Sequence, residues 1–171
     1  MKKVMFVPVV VIVLMTSVAA ERVDRWANLR YLIGTWKTET AEVTNIQEFR
    51  FLFNGRFIQS KTRAVFKPTD KKPEGEIHED INIFSYDGTS GTLMLRSFYS
   101  EGFVNIFTLS GVSEDGKILT FTTRAAENAP PGTRAKLIYQ KISDTEMVEK
   151  FYVSWPDKDY SCVAENHMKK E

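Results

Sequence analysis

The chain has 171 residues, of which 43% are hydrophobic and 26% charged, with 23 lysines and arginines against 22 aspartates and glutamates. This length fits one domain with an appendage, and the apolar content excludes an intrinsically disordered chain. The balanced charge argues against a nucleic-acid partner, because proteins that bind nucleic acids carry a basic surplus. A single cysteine excludes an internal disulfide framework and a multi-thiolate metal site.

The beginning of the chain predicts a secretory signal peptide. Two lysines precede an apolar run over 4–18, and small residues follow up to Ala20. Signal peptides show this order of charged region, apolar region and small-residue cleavage site. The run is shorter than the about 20 residues of a membrane-spanning helix, although an uncleaved anchor is an alternative. We therefore expect cleavage near Ala20, a mature domain over 21–171 without a membrane span, and a periplasmic or secreted protein.

A short helix is predicted at the start of the mature domain, over 24–33. Asp24 can cap this helix, and apolar residues from Trp26 to Ile33 recur at helical spacing. Gly34 is a typical residue for ending it.

The rest of the chain predicts strands and turns. Asn54-Gly55 between two β-rich runs is the strongest short hairpin signal. Ten strands are predicted, over 34–43, 46–53, 56–66, 77–86, 92–99, 103–110, 117–124, 134–142, 146–155 and 159–168. Short connections without crossover helices favour antiparallel neighbours in an up-and-down meander. Because closure removes exposed edges, we predict an all-β fold, a ten-stranded antiparallel up-and-down β-barrel, with a sandwich as the alternative.

Alternation along the strands predicts which side chains face the barrel interior. The predicted inward set is rich in aromatic residues and includes Phe49, Phe51, Phe53, Phe121, Phe151 and Trp155. A ten-stranded barrel is wider than the eight-stranded size that side chains just fill, so part of the lumen should stay open. We expect these six residues to wall a cavity for a small hydrophobic or amphipathic molecule. A core filled by side chains, with no ligand, is the alternative.

Charged residues interrupt apolar strand faces at Glu79, Arg96 and Glu149. An inward-facing ion is costly unless it is paired or hydrogen-bonded. Two interpretations follow: a buried arginine–glutamate pair that closes the core, or polar contacts for the head group of a ligand. Arg96 and Glu149 therefore join the predicted ligand-binding residues.

A tripeptide at the start of the first predicted strand resembles a family signature. Gly34-Thr35-Trp36 directly follows the short helix, as the Gly-x-Trp motif does in calycins, which include lipocalins, fatty-acid-binding proteins and nitrobindin-like haem proteins. The wider pattern comprises the segments 32–36, 53–58, 86–87 and 146–155. Over 26–170 the chain is similar to an uncharacterised bacterial family of secreted calycin-like barrels.

The resemblance implies a calycin-like barrel with structural roles for Gly34 and Trp36. In lipocalins the signature tryptophan packs across the closed end beneath a basic residue of the last strand, and Lys169 or Lys170 could cover Trp36 in the same way. Fatty-acid-binding barrels hold the carboxylate of their ligand with an interior arginine. The resemblance implies that Arg96 could have the same role. The motifs imply the fold and say little about chemistry.

Two histidines and one cysteine are the remaining candidates for chemistry. His167 lies in the last predicted strand, where nitrobindin-like proteins place the haem ligand, but alternation puts it on the polar, solvent-facing side. His78 is likewise predicted at the surface, and Cys162 is predicted to face inward. We therefore predict no metal, no cofactor and no catalytic residue. The alternative is a nitrobindin-like barrel that binds haem or nitric oxide, with His167 as the haem ligand.

A lumenal enzyme is a further alternative to the predicted non-enzymatic binding protein. An isomerase or cyclase acting on a lipid would need an inward Glu149 with a raised pKa beside a proton-donating tyrosine, such as Tyr99 or Tyr139. No phosphate loop, zinc-binding helix motif or nucleophile elbow is present. A structural module with a packed core has no positive signature in the sequence.

Overall fold

The computed structural model describes residues 24–171, which form a closed barrel of ten strands. The predicted signal peptide over 1–20 lies outside the described residues. The strands are β1 (Gly34–Glu39), β2 (Val43–Leu52), β3 (Phe57–Phe66), β4 (Glu76–Asp87), β5 (Thr92–Tyr99), β6 (Val104–Val112), β7 (Ile118–Glu127), β8 (Arg134–Lys141), β9 (Glu146–Ser154) and β10 (Ser161–Lys170). Neighbours in the chain pair antiparallel, and β1 also pairs with β10. The predicted up-and-down barrel is confirmed, and the sandwich alternative is wrong.

The closure of the sheet depends on a short contact between the first and last strands. β1 pairs with β10 over two residue pairs, one of which places Trp36 opposite Lys170. A side chain of β1 adds to this contact, since Thr38 Oγ1 donates a hydrogen bond to the backbone oxygen of His167 in β10 at 2.7 Å. The barrel therefore has no unpaired sheet edge along its full circumference.

A short helix precedes β1, as predicted, but it is a 3₁₀ helix over Ala27–Leu32. Asp24 caps the turn before it, where its Oδ1 accepts a hydrogen bond from the backbone nitrogen of Trp26 at 3.1 Å. The chain turns from the helix into β1 at Gly34, which has a φ of +126°, and a Cβ there would lie 2.8 Å from Lys170 Cε. The backbone conformation is what favours glycine at this position, since the lysine side chain is flexible and could move away.

The helix closes one end of the barrel. Leu29 and Leu32 are fully buried, and Trp26 Nε1 donates to the backbone oxygen of Gly55 in the β2–β3 turn at 2.7 Å. Trp36 packs beneath the helix and donates from Nε1 to the backbone oxygen of Leu32 at 2.6 Å. This end of the lumen is therefore shut by apolar packing together with two indole hydrogen bonds.

The closed half of the lumen is filled by aromatic side chains. Phe49, Phe84, Phe121 and Tyr139 are all buried, and their ring centroids lie 5.8 to 6.4 Å apart. The five ring pairs in this range are all edge-to-face or tilted, and aromatic quadrupoles favour such arrangements over a face-to-face sandwich. The filled-core interpretation is thus correct for this half of the barrel.

The orientation of β4 and β5 differs from the prediction. Glu79 and Arg96 lie on the outside of the barrel, where Glu79 pairs with Arg63 at 3.3 Å and Arg96 donates to Ser85 Oγ at 2.9 Å. The isoleucines beside Glu79 face outward as well, and Ile81 is 42% exposed. The prediction failed because β5 is apolar on both faces and β4 carries its isoleucines on the exterior, so hydrophobic alternation does not mark the inner face.

A β-bulge changes the orientation of Cys162. The pairing of β9 and β10 shifts between Cys162 and Ala164, so that Cys162 lies opposite Tyr152 whereas Ala164 lies opposite Phe151. The extra residue, Val163, reverses the alternation at this point. The predicted burial of Cys162 is wrong, and its thiol is exposed.

We expect the helix side chains to contribute to the stability of the barrel. Leu29→Ala removes a fully buried side chain beneath the closed end and should lower the free energy of unfolding by about 2–5 kcal/mol. Ile142→Ala, at a side chain that is 49% exposed in the β8–β9 turn, is the control and should cost less than about 1 kcal/mol. Urea unfolding followed by tryptophan fluorescence measures both, and equal losses would show that the helix is not part of the core.

Candidate functional site

The other half of the lumen contains a cavity of about 560 Å³. It lies at the end of the barrel opposite the helix, where β2 begins with Val43 and β3 ends with Phe66. Its wall combines apolar and polar side chains from β2, β3, β4, β5, β8, β9 and β10 and from the β5–β6 turn. Below the mouth, the strands contribute a set of polar side chains that we call the deeper wall: Asn45, Gln47, Thr62, Asp80, Asn82, Glu149 and Asn166.

Glu149 is the most deeply buried carboxylate of this wall. Its residue is 8% exposed, and its Oε2 accepts hydrogen bonds from Gln47 Nε2 at 2.6 Å and Asn166 Nδ2 at 3.2 Å. Gln47 reaches it from β2, and Asn166 lies directly opposite it on β10. Burial raises the pKa of Glu149, and the hydrogen bonds from the two amides counteract part of this rise.

Asp80 is the second carboxylate of the deeper wall and lies on β4 opposite Tyr99 of β5. Burial is the main cause that raises its pKa to about 7, and the negative charges of Glu101 and Glu149 add to the rise, whereas His78 lowers it. Among the described residues, no lysine, arginine or histidine nitrogen lies within 4.0 Å of the carboxylate of Asp80 or of Glu149. The predicted buried arginine–glutamate pair is therefore wrong.

Two tyrosines adjoin these carboxylates. Tyr99 lines the cavity, and Tyr139 is fully buried beneath it, opposite Glu149 on the neighbouring strand. Burial raises the pKa of both phenols, with a further contribution to Tyr139 from the charge of Glu149. Both hydroxyls therefore stay neutral at physiological pH and can donate hydrogen bonds.

Several buried polar atoms around the cavity have no hydrogen-bond partner among the described protein groups. They are Asn45 Oδ1 and Gln47 Oε1, which belong to lining residues, and Ser60 Oγ, whose residue lies opposite the lining residue Asn82. A buried polar atom without a partner costs about 1–3 kcal/mol. The two that face the open volume, on Asn45 and Gln47, are typical of a site that receives a polar ligand.

Aromatic rings and a histidine form the mouth of the cavity. Phe103 stacks on Tyr99 with ring centroids 4.3 Å apart, and Phe151 lies 6.2 Å from Tyr99. His78 packs edge-on against Phe66 and contacts the carboxylate of Glu101. The cavity is thus amphipathic, with apolar rings at its mouth and polar groups further in.

The structure brings together only part of the predicted set of ligand-binding residues. Glu149 and Phe151 line the cavity. Phe49 and Phe121 belong to the filled core beneath it, and Phe51 packs against the same core with Arg30 5.6 Å from its ring.

The other predicted contacts lie outside the lumen. Arg96 faces solvent, and Phe53 and Trp155 are 74% and 50% exposed because β2 ends at Leu52 and β9 at Ser154. Their predicted inward orientation is therefore wrong, because strand alternation does not extend into a turn.

The two histidines differ in their placement. His167 lies on the outer face, as predicted, with Nε2 2.9 Å from Glu165 Oε1. His78 was expected at the surface, but it lies half-buried on the cavity wall, because the inner face of β4 carries His78, Asp80 and Asn82.

Sequence reasoning missed most of the polar wall, although part of it had a signal. Asn45 and Gln47 are four and two residues before Phe49, so the alternation that predicts an inward Phe49 also predicts both amides inside. Asp80 and Asn82 carried no such signal, because the isoleucines of β4 suggested the opposite face.

Among residues 24–171, no group of three or more histidine, cysteine, aspartate or glutamate side chains is arranged to hold a metal ion. In the same part of the chain, no helix has the length and apolar character needed to cross a membrane.

The sequence matches no protein-family model, and no curated protein is similar enough to register a match. The closed ten-stranded barrel is compatible with a calycin-like fold.

We expect Asp80 to make stability depend on pH. Because its folded-state pKa of about 7 lies above the ordinary value of 3.8, the unfolded state loses this proton first, and the free energy of unfolding should fall as pH rises through this range. Asp80→Asn should remove this component and raise stability at about pH 8 by about 1 kcal/mol or more.

Thermal or urea unfolding between about pH 5 and about pH 8 measures this dependence. Glu79→Gln, at the neighbouring outward-facing position of β4, is the control and should leave the slope unchanged. A slope that Asp80→Asn does not reduce would contradict the assignment.

Proposed function

We propose that this protein is an exported, calycin-like barrel that binds a small amphipathic molecule in its lumen. The proposal rests chiefly on one observation: an open cavity of about 560 Å³ where aromatic rings and buried polar atoms without partners face the same volume. Small-molecule sites are cavities of about 300–1,000 Å³ with largely apolar walls and a few placed polar groups. The expectation of export, to the periplasm or the medium, comes from the residues before the described domain.

The chemistry of the wall favours an amphipathic ligand over a purely hydrophobic one. A hydrocarbon would cover Asp80 and Glu149 without offering either of them a hydrogen bond, and it would leave Gln47 Oε1 buried and unpaired. Such uncompensated burial is unfavourable. A molecule with a polar group directed inward and an apolar part beside Phe103 and Phe151 satisfies both halves of the wall.

Ligand binding can be tested with the fluorescent probe N-phenyl-1-naphthylamine. The protein should give a saturable rise in fluorescence at a stoichiometry of one. Ala64→Trp places a large side chain on the cavity wall, where Ala64 is buried, and should weaken binding about tenfold or more because it occupies the ligand volume.

The control is Ala125→Trp, the same substitution at an exposed position of β7. It should bind the probe as the unmodified protein does. The proposal fails if no saturable binding is seen, or if both variants bind with unchanged affinity.

A second candidate function is proton transfer on a lipid-like ketone within the same cavity. Glu149 and Tyr99 both line the cavity, and their raised pKa values make them a stronger base and a neutral hydrogen-bond donor. With a β,γ-unsaturated ketone, the Glu149 carboxylate would remove the proton between the carbonyl and the double bond. Tyr99 would donate a hydrogen bond to the enolate oxygen, and Glu149 would return the proton to the far carbon.

This activity predicts that the protein accelerates the isomerisation of 5-androstene-3,17-dione to its conjugated isomer, followed by ultraviolet absorbance. Glu149→Gln should abolish the acceleration, and Tyr99→Phe should reduce it by about 10²-fold or more. Glu79→Gln, on the outside of the barrel, should have no effect. A rate equal to that in buffer alone would rule out this candidate.

A further inference from the structure

We propose that the ligand of the lumen carries an ammonium group, which the carboxylates of Asp80 and Glu149 receive inside the cavity. The inference rests on the proposed function and narrows it from an amphipathic molecule to an amphipathic amine. It is carried by the charges of the cavity wall, the hydrogen-bonding atoms that lack partners, and the aromatic rings at the mouth.

The fixed charges of the cavity wall are almost all negative. Three carboxylates face it, those of Asp80, Glu101 and Glu149, and no lysine or arginine is among its lining residues. Glu101, near the mouth, contacts His78. Glu165 also borders the cavity, but its carboxylate lies on the outer face, 3.1 Å from Lys150 Nζ and 2.9 Å from His167 Nε2. Asp80 and Glu149 have no cationic partner among residues 24–171, so the deeper wall attracts a cation and repels an anion.

The buried atoms without partners give an independent reason for a donor-rich head group. Gln47 and Asn45 are 2% and 5% exposed, both line the cavity, and their side-chain oxygens accept no hydrogen bond. The amide nitrogen of Gln47 already donates a hydrogen bond to Glu149. The amide oxygen of Gln47 is therefore free to accept a hydrogen bond from a ligand. An ammonium group supplies three donors and no acceptor, which matches this set of atoms.

The mouth of the cavity suits the rest of an amphipathic amine. Tyr99, Phe103 and Phe151 form one continuous aromatic contact, with neighbouring ring centroids 4.3 and 6.2 Å apart. The faces of aromatic rings attract a cation that enters the cavity, and they make apolar contact with an alkyl chain. The cation would lie beyond the rings, and the alkyl chain would lie against them.

The same geometry disfavours a fatty acid. Arg96, which the sequence predicted as an interior anchor, lies outside the barrel and is hydrogen-bonded to Ser85. A carboxylate ligand would therefore meet Asp80 and Glu149 with no cation to neutralise it. The wall predicts an order of affinity in which an alkylamine binds more tightly than the matched alcohol, and the alcohol more tightly than the matched acid.

Binding of an amine should also depend on pH. Asp80 is faced by His78 on its own strand, by Tyr99 on β5, by Glu101 from the β5–β6 turn and by Glu149 from β9. An ammonium group favours the ionised form of both carboxylates, so binding below about pH 7 should release protons. The affinity should therefore fall as pH is lowered from about 8 to about 5.

The test is isothermal titration calorimetry of the purified protein with octylamine, 1-octanol and octanoate, which share one alkyl chain. At about pH 7.5 octylamine should bind about tenfold or more tightly than 1-octanol, and octanoate should bind most weakly. Glu149→Gln and Asp80→Asn should each weaken octylamine about tenfold without weakening 1-octanol, and Glu79→Gln should change neither. Octylamine titrations at about pH 6, in buffers of different ionisation enthalpy, should show proton release.

The outcomes separate this inference from the proposed function. If 1-octanol or octanoate binds as tightly as octylamine, or if octylamine does not bind while N-phenyl-1-naphthylamine does, the ammonium assignment is overturned and the binding function stands. If neither the octyl series nor the naphthyl probe binds, the proposed function is overturned. Should Glu149→Gln fail to fold, Asp80→Asn and the proton release still decide the question.

Discussion

The pairing of β1 with β10 is the constraint on which the rest of the structure depends. Once these two strands join, the backbone hydrogen bonds of ten strands form a closed wall, and the width of the lumen follows from the strand number. That width is more than the aromatic core fills. Phe49, Phe84, Phe121 and the N-terminal helix occupy one half, and the remaining half is available for a polar wall that a collapsed core would not accommodate.

This division explains how two carboxylates persist inside a small barrel. Glu149 accepts hydrogen bonds from Gln47 and Asn166. Asp80 lines the same cavity, and burial raises its pKa. Both groups lower the stability of the folded state at neutral pH, because their ionised forms are partly desolvated without a cation. The packed half and the closed sheet supply the stability that lets such a site exist, and a cationic ligand would remove the penalty.

Local pattern and chain connectivity predicted the fold well and the site only in part. Asn54-Gly55 and the other turn sequences separated ten strands within a few residues of their observed bounds. Phe49, Phe121, Phe151 and Glu149 were correctly placed on inner faces. Arg96 was misplaced because both faces of β5 are apolar, Cys162 because a bulge reverses the alternation, and Phe53 and Trp155 because they lie just beyond the ends of strands.

By itself, the sequence determined the fold class, the number and order of strands and the helix that precedes them, because turns and alternation are local properties of the chain. Only the tertiary structure decided which face of β4 lines the lumen. That face carries His78, Asp80 and Asn82, which therefore lie on the cavity wall. The reason is physical: the exterior of this barrel tolerates isoleucine and the interior tolerates carboxylates and amides. The inner face is therefore set by register against β3 and β5 across the closed sheet and not by hydrophobicity along one strand.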